Sequence, residues 1–245
     1  MRTVPFALAL VPFLSPGCAG KDGDTGPAPV GPHAISFDDG PSCAAAQVPS
    51  SGVPAAFTFE AWVKADPNVD YEGHPFVVWA GVGALWQTAD GFVVMTDTSG
   101  EVAGAAFPAD VMDQELHHVA GTWDGERMTV FVDGVLGAFS SAGAPGPTAG
   151  GTLFVGCWPG QEWNHQGIID EVRVSSVVRY ADNYEVPQGA FVEDADTQHL
   201  WHVDEGRGES SADAAGNSPL DLTEIGWVSF ALPDDADGAA SDSGR

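Results

Sequence analysis

One short stretch of the 245-residue chain combines indole rings with amide side chains. It reads WPGQEWNHQG from Trp158, so that Gln161, Trp163 and Asn164 follow within six residues. Aromatic faces stack on sugar rings and amide groups exchange hydrogen bonds with hydroxyls, so this combination favours carbohydrate binding. A second stretch, WAGVGALW over residues 79–86, adds two more indoles. Since aromatic residues of a β-protein often belong to its core, that alternative stays open for each of these tryptophans.

A carboxylate within an apolar strand is the second candidate for chemistry. The sequence GIIDEVRV starts at Gly167 and is predicted to be a strand. Alternation then places Ile168, Asp170, Val172 and Val174 on one face, which we expect to be the core face. A buried carboxylate is costly unless it is paired, hydrogen-bonded or bound to a metal. Asp170 is therefore predicted either to bind a cation or to cap backbone N–H groups in a turn.

The sequence patterns of common hydrolases are missing. The chain contains neither Glu-x-Asp-x-Glu nor Gly-x-Ser-x-Gly. Asp170 and Glu171 are neighbours on a strand and point to opposite faces, as do His117 and His118, so neither pair can act together on one group or ion. We predict that the protein is not an enzyme.

The charge balance excludes whole classes of partner. The chain has 8 Lys+Arg against 35 Asp+Glu, a formal net charge of −27. Such a surface repels nucleic acid and anionic lipid headgroups. It attracts cations and favours a soluble monomer.

Composition and turn signals predict an all-β domain. The chain contains 31 Gly and 18 Pro, and its apolar runs are short. Residues 117–134, HHVAGTWDGERMTVFVDG, are typical of two strands joined by a tight turn at Asp124-Gly125. No segment between residues 34 and 230 keeps a period of 3.6 for long enough to predict a substantial helix.

Three blocks carry a family resemblance. FTFEAWVK from Phe57, the hairpin from His117 and GIIDEVRV from Gly167 follow in the order found in laminin-G-like jelly-roll domains. The chain resembles this family, which has the concanavalin A-like lectin/glucanase fold, over about residues 34–230. The resemblance implies a two-sheet antiparallel β-sandwich (jelly roll) over residues 34–232. It says little about activity, because the fold hosts lectins, adhesion modules and accessory domains of enzymes.

The resemblance also implies a calcium site. In the family, the aspartate equivalent to Asp170 lies near a Phe-Asp-Gly turn, which here begins at Phe37. Asp38, Asp39 and Asp170 are therefore predicted to hold one structural Ca²⁺ through oxygen ligands. Turn capping by Asp170 is the alternative.

A late segment, LWHVDEGRG from Leu200, resembles the one that usually opens such domains. We expect it to supply the strands that relatives have at their N-terminus. A truncated second copy of the domain is the alternative.

The first residues predict export. Residues 1–17 have one basic residue, Arg2, then an apolar run and small residues before Cys18, as in a secretory signal peptide. A cysteine at this position resembles the bacterial lipoprotein signal. Cys18 is therefore predicted to carry lipid and to hold the protein at the outer membrane or cell surface, with ordinary secretion as the alternative. Residues 18–33 are predicted to be a flexible Gly/Pro linker, and residues 233–245 a disordered acidic tail.

If Cys18 is acylated, two cysteines remain in an oxidising compartment. Cys43 and Cys157 are then expected to form a disulfide, since the family places their segments near each other. Two buried free thiols are the alternative.

Together these features predict a non-catalytic, lipid-tethered binding module of the cell surface. We expect its partner to be carbohydrate, with contact to the membrane through the lipid anchor only. A structural or adhesion domain that binds an extracellular protein is the alternative.

Overall fold

The protein is all-β in a computed structural model that describes residues 32–37, 42–49, 54–67, 72–96, 105–139, 151–161, 163–216 and 218–233. Two antiparallel eight-stranded sheets form a sandwich, which confirms the predicted fold class. In these residues, no helix has the length and apolar character needed to cross a membrane. The predicted signal peptide, Cys18, almost all of the linker and nearly all of the acidic tail lie outside the described residues.

Sheet A consists of β1 (His33–Phe37), β3 (Phe57–Ala65), β8 (His117–Trp123), β9 (Met128–Val132), β10 (Val135–Phe139), β14 (Gly167–Ser175), β15 (Thr197–Trp201) and β18 (Gly226–Ser229). Its order is β10-β9-β8-β3-β14-β1-β18, and β15 pairs with the second half of β14. The predicted hairpin is β8 and β9. Trp123 pairs with Met128, so the connection consists of the four residues 124–127, which include the predicted Asp124-Gly125 dipeptide.

Sheet B consists of β2 (Ala44–Gln47), β4 (Gly73–Trp79), β5 (Gly83–Thr88), β6 (Val93–Thr96), β7 (Ala105–Phe107), β11 (Thr152–Val155), β16 (Ser210–Ser211) and β17 (Leu220–Asp221). Its order is β16-β17-β2-β11-β4-β5-β6-β7. Two further strands, β12 (Cys157–Trp158) and β13 (Trp163–Asn164), pair with each other as a small hairpin.

The main core lies between the sheets. In β3, alternate residues beginning at Phe57 and Phe59 turn inward and are fully buried. They meet Trp79, Leu85 and Met95 from sheet B. Each fully buried side chain of this size contributes about 1.5–3 kcal/mol, so this apolar layer is the main source of stability.

A β-bulge in β14 overturns the predicted facing of its side chains. Asp170 pairs with Trp62, but the next registered pair is Arg173 with Glu60, so β14 has one extra residue here. The extra residue reverses the alternation, and Glu171 adopts a positive φ of 50°. Ile169 therefore joins the core in place of Ile168. Asp170 lies on the opposite face of sheet A, beside Trp62; its predicted position on the core face was wrong.

The outer face of sheet A carries a buried ionic network. Glu60 is 0% exposed; its carboxylate accepts hydrogen bonds from Arg173 Nε at 2.8 Å and from the Tyr180 hydroxyl at 2.7 Å. His118 Nε2 lies 3.2 Å from the same carboxylate, and the Tyr184 hydroxyl lies 3.0 Å from His118 Nδ1. Burial alone would raise the pKa of Glu60, but the hydrogen bond from His118 and the charge of Arg173 outweigh it and lower the pKa to about 2. The network fastens the segment after β14 across this face.

The C-terminal segment completes both sheets. β15 and β18 join sheet A, while β16 and β17 join sheet B next to β2. The segment is thus part of one sandwich, as expected, and does not form a second copy.

Cys43 and Cys157 form a disulfide with a Cα–Cα distance of 5.2 Å, which confirms the predicted pairing. It closes a loop of 114 residues, for which the chain-entropy model gives a stabilisation on the order of 4 kcal/mol. A structural disulfide indicates an extracytoplasmic location.

Replacing Glu60 by Gln is expected to lower the free energy of unfolding at pH 7 by about 3 kcal/mol, because Arg173 would be left buried beside a neutral amide. Since the folded pKa of Glu60 lies below its ordinary value, the stabilisation is complete above pH 4.5 and is lost as the pH falls towards 2. Urea denaturation from about pH 7 to about pH 2.5 should therefore show wild type and variant converging in acid. Glu126→Gln, an exposed substitution with the same charge change, is the control, and equal losses in the two variants would contradict the role assigned to Glu60.

Candidate functional site

The outer face of sheet B carries a second apolar cluster. In β5, Leu85 points into the core, so its neighbour Trp86 points outward. Trp86 lies there with Val78 of β4, Val94 of β6 and Phe154 of β11. On sheet A the corresponding outer face is covered by the segment after β14, and its apolar side chains are buried beneath that segment.

The β12–β13 hairpin lies over this cluster. The backbone N–H of Gln161 donates to the carbonyl of Trp158 at 3.1 Å and closes the turn. At the base of the hairpin, His165 N–H donates to the Gly156 carbonyl at 2.7 Å, and Gly156 N–H donates to the Phe76 carbonyl at 3.2 Å. The disulfide at Cys157 fixes the first strand, so the hairpin is tied to sheet B covalently and by hydrogen bonds.

Three indoles meet where the hairpin crosses the sheet. Trp163 stacks on Trp86 with ring centroids 4.8 Å apart and an interplanar angle of 27°. Trp158 stands edge-on to both, at 5.8 Å from Trp86 and 5.6 Å from Trp163. Trp86 is itself oriented by a 3.1 Å hydrogen bond from its Nε1 to the Thr96 hydroxyl. The rings therefore hold one another in a single arrangement.

Gly73 makes the position of Trp163 possible. A Cβ atom on Gly73 would lie 2.7 Å from Cε3 of Trp163 and 3.0 Å from the Trp86 ring. The missing side chain thus lets the Trp163 ring settle directly against the backbone of β4. One side of Trp163 is occupied by Trp86 and Gly73, and the indole as a whole is half-buried.

The four residues predicted to bind a ligand differ in their exposure to solvent. Trp158 and Asn164 are each only 8% exposed, so for Trp158 the core alternative holds. Gln161 is exposed at the turn, and Trp163 is half-buried at the surface of the cluster. Of the four, Gln161 and Trp163 are the ones that a ligand can reach without rearrangement of the hairpin.

Sequence reasoning missed the partners of Trp163. Phe154 and Gly73 were not singled out, and Trp86 was grouped with Trp79, which is fully buried between the sheets. The alternation in β5, GALWQT, carries the missing signal, because an inward Leu85 requires an outward Trp86.

Uncharged histidines lie at the base of the hairpin. His165 is 1% exposed and stands between the rings of Phe37 and Phe76, each with a centroid 5.7 Å away and nearly perpendicular to the imidazole. Burial lowers the pKa of His165 to about 3. Burial also lowers the pKa of His74 on the neighbouring β4. Both side chains are therefore neutral at pH 7.

The predicted calcium ligands fall partly outside the described residues, where Asp38 and Asp39 lie. Asp170 is 4% exposed, and its Oδ1 accepts a hydrogen bond from the backbone N–H of Glu171 at 2.9 Å. The register of β1 and β14 places Asp170 three residues beyond the Phe37–Gly167 pair, about 10 Å along the strand. Among the described residues, no group of three or more His, Cys, Asp or Glu side chains could hold a metal ion.

The sequence matches a known protein family over more than half of its length. The model of laminin G type described as the concanavalin A-like lectin/glucanases superfamily matches residues 39–183, more than half of the chain. The chain belongs to this superfamily. The matched range contains all of the hairpin, with Trp158 and Trp163, and also Trp86 of β5.

Several solved structures are similar to this chain, and the first of them shares its fold. A protein of Bacteroides ovatus proposed to bind carbohydrate is 17% identical with a TM-score of 0.61, and the alignment covers 81% of this chain but 60% of that one. A heptameric SAP-like pentraxin from Limulus polyphemus is 14% identical with a TM-score of 0.47, covering 78% of this chain and 95% of the pentraxin. Domains LG4-5 of the mouse laminin alpha1 chain are 14% identical with a TM-score of 0.46, covering 64% and 47%. No curated protein matches the sequence significantly.

Gly73→Ala is expected to displace Trp163, because the new Cβ has no room beside the indole. We expect a red shift of tryptophan emission, a change in near-ultraviolet circular dichroism and a loss of about 1–3 kcal/mol in the free energy of unfolding. Gly151→Ala is the matched control, since its Cβ would meet only the Ala80 carbonyl oxygen at 4.0 Å. Unchanged spectra for Gly73→Ala would show that Trp163 does not pack against β4.

Proposed function

We propose that the domain is a non-catalytic carbohydrate-binding module exposed on the cell surface, with Trp163 as the residue that stacks on the sugar. The observation that carries the proposal is the fixed Trp163 ring, which is partly exposed on the outer face of sheet B and backed by Trp86 and Gly73. Gln161, exposed at the turn of the same hairpin, supplies amide groups for sugar hydroxyls.

Preorganisation is the physical advantage of this arrangement. An indole that is already immobilised loses little conformational entropy when a ligand covers it, so more of the stacking energy is available for binding. The disulfide at Cys157 and the hydrogen bond between His165 and Gly156 hold the hairpin, and therefore the ring, before any ligand arrives.

The comparisons support this proposal at the level of the fold. The superfamily is named for lectins and glucanases, and the Bacteroides ovatus protein is proposed to bind carbohydrate. Among the described residues, Glu60 is a fully buried acid held in an ion pair with Arg173, which leaves this carboxylate unsuited to acid–base chemistry.

The position of the module in the cell is part of the proposal. The disulfide agrees with export. We further propose that lipid on Cys18 tethers the domain to the outer membrane or cell surface and that residues 19–33 act as a flexible spacer.

Trp163→Ala is expected to weaken binding of a glycan identified on an array by about tenfold or more, since truncation of an aromatic anchor at a binding site costs about 2 kcal/mol or more. Isothermal titration calorimetry gives the dissociation constants. Phe139→Ala is the control, because Phe139 is 59% exposed and lies on the far edge of sheet A.

Unchanged affinity of Trp163→Ala would remove Trp163 from the site. Absence of any glycan signal, together with capture of an extracellular protein, would replace the proposal by an adhesion module.

We also propose one structural Ca²⁺ ion at the turn of Asp38 and Asp39, with Asp170 as a further oxygen ligand. Its support is chemical: Asp170 is a buried carboxylate on β14, the strand paired with β1, and the acidic residues Asp38 and Asp39 follow β1 in the sequence. The melting temperature is expected to fall in EDTA and to recover in calcium, because an ion bound only by the native state stabilises it. Asp38→Asn and Asp170→Asn should each abolish the shift; a melting temperature that is indifferent to EDTA in the wild type would remove calcium from the protein.

A further inference from the structure

We infer that the glycan bound at the Trp163 surface is uncharged, and this inference rests on the proposed function. The first observation is the small number of lysine and arginine residues and their positions in the fold. Between residues 22 and 244 the sequence contains five basic residues, and all of them are described in the structure: Lys64, Arg127, Arg173, Arg179 and Arg207.

Three of these cations are already engaged on the sheet A side. Arg173 is buried against Glu60. Arg179 makes a two-pronged contact with Asp194, with distances of 2.9 and 2.7 Å. Arg127 lies over the ring of Phe139 at 5.6 Å, at the edge of the same sheet.

The other two also lie away from the hairpin. Lys64 belongs to β3 of sheet A and is paired with Ile168. Arg207 lies in the connection between β15 and β16, next to Gly208, whose carbonyl accepts a 2.9 Å hydrogen bond from Nε1 of Trp227 in β18 of sheet A. The strands of sheet B and the described part of the β12–β13 hairpin contain no lysine or arginine.

The groups that do surround the tryptophans are neutral or acidic. His74 and His165 carry no charge at pH 7, because burial lowers their pKa values. Exposed acids flank the strands, with Glu72 before β4, Asp90 in the turn after β5 and Asp221 in β17. The potential over the outer face of sheet B is therefore negative.

A carboxylate or sulfate is recognised in proteins by guanidinium and ammonium groups, which supply charge-assisted hydrogen bonds. The Trp163 surface offers none, and its acids repel an anion on approach. Hydroxyl groups need no such partner and can bond to the Gln161 amide. Sialylated, uronate-containing and sulfated glycans are thus disfavoured, and neutral polysaccharides are the ligand class that fits.

The test is native affinity electrophoresis of the full chain in EDTA, at about 20 mM salt, where charge interactions are screened least. The gels contain hydroxyethylcellulose, dextran or galactomannan as neutral probes, and carboxymethylcellulose, dextran sulfate or polygalacturonate as anionic ones. We expect at least one neutral probe to retard the protein. Its anionic counterpart should bind about tenfold more weakly or worse, since facing like charges are destabilising.

A charge swap at the hairpin turn sharpens the test. Gln161→Lys should narrow the difference between neutral and anionic probes, while Gln161→Glu should widen it. Both effects should shrink as salt is raised.

Failure of the two proposals can be told apart. Binding of an anionic probe as tight as that of the neutral ones, and lost in Trp163→Ala, would overturn the inference of an uncharged ligand and leave the glycan-binding function intact. Binding of none of these probes, nor of any glycan on the array, would overturn the proposed function itself.

Discussion

Glu60 carries a negative charge where no water can reach it, and the outer face of sheet A is arranged to compensate that charge. Its carboxylate takes a guanidinium from β14 and a hydroxyl from the segment that follows β14, with the imidazole of His118 beside them. The ion pair with Arg173 joins two neighbouring strands, whereas the Tyr180 hydroxyl and the Arg179 guanidinium, 3.7 Å from Glu60, reach the carboxylate only because the segment after β14 crosses the sheet. A path of this segment away from the sheet would leave the buried carboxylate with fewer partners, which disfavours that path because an incompletely compensated buried charge is costly.

The outer face of sheet B is covered less completely than that of sheet A. A sandwich has two outer faces, and here one is occupied by its own chain while the other is covered in part by a hairpin of eight residues, 157–164. That hairpin could not hold its place alone, since two strands of two residues make little contact. The disulfide at Cys157, the hydrogen bonds around Gly156 and the indole stack on Trp86 supply the missing stability. Packing of a small surface core and presentation of an aromatic ring are thus two results of the same contacts.

Local signals in the sequence predicted the all-β class, and the family resemblance implied the sandwich. The dipeptide Asp124-Gly125 favours a turn by itself. The alternation of apolar and polar residues in β3 indicates which face of the strand is buried. The disulfide was predicted from the oxidising compartment and from the family resemblance, which places the segments of Cys43 and Cys157 near each other. The face on which Asp170 lies could not be predicted from the sequence. The bulge adds one residue without changing the apolar character of β14, and only the pairing of β14 with Trp62 and Glu60 shows that the bulge is there. Likewise the partners of Trp163 come from β4 and β5, far away in sequence, and a missing side chain at Gly73 matters only once the indole lies above it.

The positions of the few basic residues determine which face of this strongly acidic protein keeps an uncompensated negative charge. A net charge of −27 spread evenly would say only that the protein is soluble. Here the few arginines are drawn to sheet A, where Glu60 and Asp194 bind two of them, and the face that carries the tryptophans keeps its negative potential. Fold stability and ligand choice are therefore connected: Arg173 and Arg179 serve the ion pairs on the sheet A side, and the described strands of sheet B contain no lysine or arginine that could attract an anion. What sheet B retains is an aromatic ring and neutral amides, and these suit a ligand whose polar groups are hydroxyls.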